Sequence, residues 1–156
     1  MSFRKKIVSL VLFSIPCAGI IHALDGTWTA TGSGNWGNSA NWSTNPSFPE
    51  FAGDTATFGA SITSNSTITI TNQIPNITLQ SITFNSPLSY TLSAASTDTS
   101  IILATNPSGN PVAITVEEGN HTILTIPGFV PVLSASAPSI LTVAINDPLG
   151  SLTVKG

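Results

Sequence analysis

Charge is scarce in this chain. Lys and Arg number 4 and Asp and Glu 7 among 156 residues, 7% in all, where a soluble domain usually carries about a quarter. Three of the four bases, Arg4, Lys5 and Lys6, stand together at the start. With no clustered Lys or Arg elsewhere to meet phosphates, nucleic acid and anionic membranes are not expected as partners. Cysteine is reduced to Cys17, so a disulfide framework and a thiolate metal site are excluded once the N-terminal segment is removed. Helical periodicity is missing beyond residue 23. Ser and Thr compete with the helix backbone for hydrogen bonds, β-branched residues favour strands, and 11 Pro and 12 Gly interrupt what remains.

What the first residues do contain is an address. A basic start, an apolar run over residues 7–21 and a small residue at Ala23 describe a secretory signal peptide cut after Ala23. The run is short for a membrane span of about twenty residues, and Pro16 interrupts it, so the mature chain is expected not to insert in a membrane. Lipoprotein processing at Cys17 is the rival reading, and Pro16 beside that cysteine fits it poorly. Cleavage leaves 133 of the 156 residues, with one base (Lys155) against seven acids, a formal charge of −6. That length suffices for one domain with a core. Its surface must be wetted by Ser, Thr and Asn.

Strand signals dominate the mature part. Thr67-Ile68-Thr69-Ile70-Thr71 alternates cleanly, with the isoleucines on one face. Short runs of the same kind occupy residues 79–84, 90–93, 100–104, 113–116, 122–126, 140–145 and 152–154. Turn chemistry rich in Asn, Pro and Gly separates them at 72–76, 85–87, 106–111 and 118–120. A loose pattern repeats in Ser81-Ile82-Thr83-Phe84, Ala113-Ile114-Thr115-Val116 and Ser151-Leu152-Thr153-Val154. Spacings of this order suit stacked β-coils, and equally a sandwich.

All three tryptophans, Trp28, Trp36 and Trp42, fall within residues 26–59, among Gly, Ser, Asn and Thr. Large apolar rings in a turn-rich segment are built to cover something. The expectation is a lid over one end of a β-structure, with Phe48, Phe51 and Phe58 contributing.

The Trp28-x7-Trp36 pair with Asn41-Trp42-Ser43, followed by Gly53-Asp54-Thr55-Ala56-Thr57-Phe58, resembles the N-terminal part of bacterial autotransporter-type passengers carrying β-strand repeats. Ser81-Ile82-Thr83-Phe84 with Tyr90-Thr91-Leu92-Ser93, and Ile114-Thr115-Val116 with Gly119-Asn120-His121-Thr122-Ile123, are similar to early coils of such passengers. The resemblance spans about residues 26–126. It implies an all-β chain forming a right-handed parallel β-solenoid on the cell surface, with a structural or adhesive role. Passengers of this kind end in an outer-membrane barrel, which needs at least about eight spanning strands. The sequence leaves no room for one, so a fragment or truncated product is expected. The resulting division is a signal peptide (1–23), a Trp-rich cap (24–59) and a repeat region (60–156). A stack capped only at its first end is expected to self-associate through the edge near Leu152, a property that sedimentation reads directly.

Chemistry is thin. Trp36 and Trp42 could offer a flat platform for sugar rings, which makes a secreted carbohydrate-binding antiparallel β-sandwich the alternative. No acids are spaced as a calcium loop requires, and Asp54 reads as a turn cap. His121, the one histidine of the mature chain, reads as a solvated turn residue. It has no Gly-x-Ser-x-Gly and no cysteine to work with. Glu117 and Glu118 are adjacent, so alternation would send them to opposite faces rather than across a cleft. Asn41, Asn65, Asn76 and Asn120 head Asn-x-Ser/Thr acceptors, as composition alone predicts. The expectation is a non-enzymatic exported segment without metal or cofactor. Its partners would be host or surface glycans or proteins.

Overall fold

The computed structural model describes residues 23–71, 74, 76–96, 99–104, 111–124, 130–132 and 141–154. Residues 1–22 of the leader, residues 106–110 of the expected turn, Asn72, Gln73, Pro75 and Lys155 lie outside them. Among the described residues the chain is all-β. It begins with β1 (Asp25–Thr27), β2 (Gly34–Asn35), β3 (Thr55–Phe58), β4 (Ser66–Ile70) and β5 (Asn76–Leu79). Next come β6 (Ser81–Asn85), β7 (Tyr90–Ala94), β8 (Ser100–Ala104) and β9 (Val112–Glu118). The last are β10 (Asn120–Leu124), β11 (Val130–Val132), β12 (Leu141–Ile145) and β13 (Ser151–Val154). A single 3-10 turn, Ser39–Asn41, interrupts the strands.

Three sheets result, ordered β1-β3-β6-β9-β12, β2-β4-β7-β10-β13 and β5-β8-β11. The chain visits them in rotation, so each strand pairs with strands one circuit earlier and later. Thr55 pairs with Ser81, 26 positions on, and Ser81 with Ala113, 32 positions on. All ten pairings between these strands are parallel. The antiparallel sandwich is therefore wrong for this chain. Its hairpins would need adjacent strands to pair with each other, whereas here successive strands pass to different sheets. Among the described residues the one antiparallel contact is an isolated bridge between Trp28 and Trp42.

Alternation places the core. In β3 and β6 every second side chain is buried, and registers align these into columns: Ala56 on Ile82 on Ile114, and Phe58 on Phe84 on Val116. Ile68 on Leu92, Ile77 on Ile101 and Leu79 on Leu103 continue the pattern in the other two sheets. Strands about 4.8 Å apart put each apolar side chain directly on the next. Burying each Val, Leu, Ile or Phe of these columns is worth about 1.5–3 kcal/mol. Outward positions align too. Thr27, Thr57, Thr83 and Thr115 form one unbroken column, and Thr67 lies beside Thr91 in a second. No helix among the described residues is long and apolar enough to cross a membrane.

The strand expected over residues 79–84 is two strands, broken at Gln80. The Gln80 N–H donates to Asp54 O at 2.8 Å and its carbonyl accepts from Ala113 N–H at 3.2 Å, which fixes a corner between two sheets. At the far end, β12 and β13 are the outermost strands of their sheets, and Val143, Ile145, Leu149 and Val154 are exposed there.

Candidate functional site

The first-strand end carries the most distinctive arrangement. The Trp28 N–H donates to Thr57 O at 2.9 Å, extending the β1–β3 ladder by one residue. The chain crosses to β2, where Trp36 N–H donates to Thr69 O at 2.9 Å. Asn38 then caps the 3-10 turn by accepting the Ala40 N–H at 3.2 Å, its short amide substituting for a backbone acceptor. That turn reverses the chain. Thr29 N–H donates to Asn41 O at 2.8 Å and Ser43 N–H to Thr27 O at 2.9 Å, so Trp42 returns alongside Trp28.

The rings close over the column beneath. Trp42 meets Trp28 edge-on at 5.3 Å and 89°, lies 4.8 Å from Trp36, and stands 5.7 Å from Phe58. Trp36 lies 5.6 Å from Phe58. Two of the indole N–H groups are anchored: Trp42 Nε1 donates to Trp36 O at 2.7 Å and Trp36 Nε1 to Pro49 O at 2.8 Å. Trp28 Nε1 is buried with no acceptor among the described residues. Below the lid, Phe58 stacks on Phe84 at 5.3 Å and 20°, and Phe84 on the His121 imidazole at 4.6 Å and 12°. An aromatic spine thus runs from the lid through three strands of the stack.

Trp36 is 0% and Trp42 2% exposed. Neither presents a face to solvent, so these two residues form no platform for a sugar ring. The turn-rich segment directs them inward because their indoles bond carbonyls of the lid itself. Phe58 joins the lid and Phe48 packs at its margin, but Phe51 is 62% exposed and does not contribute.

Beside the lid, Asp54 is 2% exposed. Its Oδ2 accepts the N–H groups of Glu50 (2.9 Å) and Phe51 (3.0 Å), capping the turn as its sequence position suggested. Its Oδ1 accepts Leu24 N–H at 2.8 Å, a contact across thirty residues that local sequence could not reveal. Leu24, Ser47, Phe48, Glu50, Phe51 and Asp54 line a shallow pocket of about 200 Å³. Burial, and then the neighbouring Asp54 charge, hold the Glu50 carboxyl above the usual carboxylate range.

His121 corrects the sequence reading. It is 1% exposed rather than solvated, facing inward from β10 opposite Tyr90. Tyr90 N–H donates to Nδ1 at 3.1 Å, so Nδ1 is unprotonated and Nε2 carries the hydrogen, donating to Glu118 O at 2.6 Å. Both nitrogens are used by the neutral ring. Burial lowers its proton affinity, and the Glu118 carbonyl opposes this in part. The unfolded chain therefore binds a proton that the folded chain resists. Stability is full above the unfolded imidazole value of about 6.5 and falls as pH drops through it toward the lower folded value. The expected NMR result is a His121 ring signal that stays in its neutral position below pH 6. A midpoint near 6.5 would contradict the buried arrangement.

The two glutamates also differ from expectation. A register irregularity between β6 and β9 sets Phe84 opposite Val116 but Asn85 opposite Glu118. The extra residue, a bulge, leaves both Glu117 and Glu118 exposed where strict alternation would bury one. Glu117 Oε2 accepts from Asn146 Nδ2 at 3.0 Å. Among the described residues no three His, Cys, Asp or Glu side chains are grouped to hold a metal. Compared with protein-family models, curated proteins and solved structures, the chain matches none.

Proposed function

We propose that this chain is an exported segment with a structural or adhesive role: the start of a right-handed parallel β-solenoid beneath an aromatic lid. In this it resembles the N-terminal part of bacterial autotransporter-type passengers with β-strand repeats. The reading rests chiefly on the rotation of the chain through three parallel sheets, with the lid over the strands that open two of them. A closed first end and outward columns of Thr suit a module that displays surface rather than one that encloses a substrate. The basic start and apolar run of residues 4–21 supply the export signal. Glycans or proteins on host or cell surfaces are the partners, met by the Thr faces and not by Trp36 or Trp42.

The test is expression of the full chain in a Gram-negative bacterium, with fractionation and binding of the recovered protein to glycan arrays and host cells. Recovery outside the cytoplasm, and binding that is lost when Thr57 and Thr83 are both replaced by lysine, support the proposal. Retention in the cytosol as an uncut chain would sink it.

A further inference from the structure

Asp54 is the one carboxylate among the described residues that is nearly fully buried, at 2% exposure. Three backbone N–H groups hold it, from Leu24, Glu50 and Phe51. A buried charge ordinarily needs a counter-charge. This sequence has almost none to give: beyond Lys6 the only base is Lys155, at the opposite end of the chain.

Leu24 stands where that charge could arise. Its nitrogen is 2.8 Å from Asp54 Oδ1, and its carbonyl accepts Thr55 N–H at 2.9 Å. Leu24 is thus held by the fold on both sides, whereas the preceding residue, Ala23, is exposed. The sequence marks the bond between them as the signal-peptide cut. The pocket of about 200 Å³ bordered by Leu24, Glu50 and Asp54 leaves room for a tetrahedral amine in place of a planar amide.

We propose that hydrolysis of the Ala23–Leu24 bond creates an ion pair at the buried Asp54 carboxylate, in which the new α-ammonium of the half-buried Leu24 closes on that carboxylate and locks the lid. This rests on the export reading above. Water adds across the peptide C–N bond under the action of a signal peptidase. The carboxylate departs on Ala23 with the leader, and the amine remains on Leu24 and takes up the proton. One amide hydrogen bond becomes a charge-assisted contact, with two further N–H donors that face the pocket. Removal of the leader therefore tightens the fold rather than merely releasing it. The lid of the precursor is the looser of the two.

The full chain, with its own leader, is expressed in a Gram-negative bacterium and the product outside the cytoplasm is recovered. Mass spectrometry is expected to find Leu24 as its first residue. The α-amino group is then titrated by NMR or pH-dependent labelling. It is expected to titrate above the ordinary α-amino range of about 7.7–8.0, and to return to that range in Asp54→Asn. Because the folded amine is the stronger base, the added stability is full below that range and declines as pH rises through the folded value. Should Asp54→Asn fail to fold, a chain with one glycine inserted between Ala23 and Leu24 serves instead. Its amine is moved outward, so it titrates normally and the protein melts at a lower temperature. An exported product cut elsewhere, or an amine in the ordinary range on Leu24, overturns the ion pair and leaves the export reading standing. An uncut cytosolic chain overturns both.

Discussion

Trp42→Ala lowers the unfolding free energy by about 3–5 kcal/mol, the cost of deleting a fully buried large aromatic side chain. Trp42 is the hub of the lid, within 5.7 Å of Trp28, Trp36 and Phe58, and its Nε1 is the donor that holds the Trp36 carbonyl. Removing it opens a cavity against all three rings. It also leaves the Trp36 carbonyl unsatisfied, which adds to the transfer cost. Trp42→Phe restores part of the packing without the hydrogen bond and is expected to fall between the two. Denaturant unfolding followed by circular dichroism measures the series. A loss under about 1 kcal/mol for the alanine variant would mean that the lid contributes little to the fold.

Gly119→Ala is expected to destabilise by about 2–4 kcal/mol, combining left-handed backbone strain with overpacking. Gly119 turns the chain from β9 into β10 at φ +83°, and a Cβ there would lie 2.2 Å from the backbone oxygen of Ser86. The obstacle is main chain, which cannot swing aside. Moving it would disturb the Gly119 N–H bond to Asp147 Oδ2 at 2.9 Å, and with it the next circuit. Through such N–H donors, from Leu149 and then Gly119, the Asp147 carboxyl sits below its ordinary value. Gly32→Ala is the control, since a Cβ there meets nothing within 4 Å. Equal thermal midpoints for the two variants would contradict the crowding argument.

The strands with strict alternation were legible because inward Ile, Leu and Phe and outward Thr announce one buried face. Residues 100–104 match β8 in full, and 67–71 lies one residue from β4. β1 and β2 gave no such signal. They are two or three residues long and exist only because β3 and β4 offer them an edge. The inward packing of Trp36 and Trp42 was expected from the turn-rich segment around them. The ring order and the indole-to-carbonyl bonds depend on a chain reversal no periodicity encodes. His121 was misread through its polar neighbours Asn120 and Thr122. The pairing of Leu24 with Asp54 joins positions thirty apart, and nothing local marks it. The Glu117–Glu118 reading failed because a bulge suspends the two-residue period on which it relied.

Every indole of this protein lies within one small volume at the first end of the stack. Tryptophan fluorescence, excited where tyrosine does not absorb, therefore reports on that volume alone, while the far-ultraviolet signal averages over all the strands. The molecule carries a built-in local probe at one terminus. Comparing the two optical signals during a single melt reveals whether the lid and the strands beneath it come apart together.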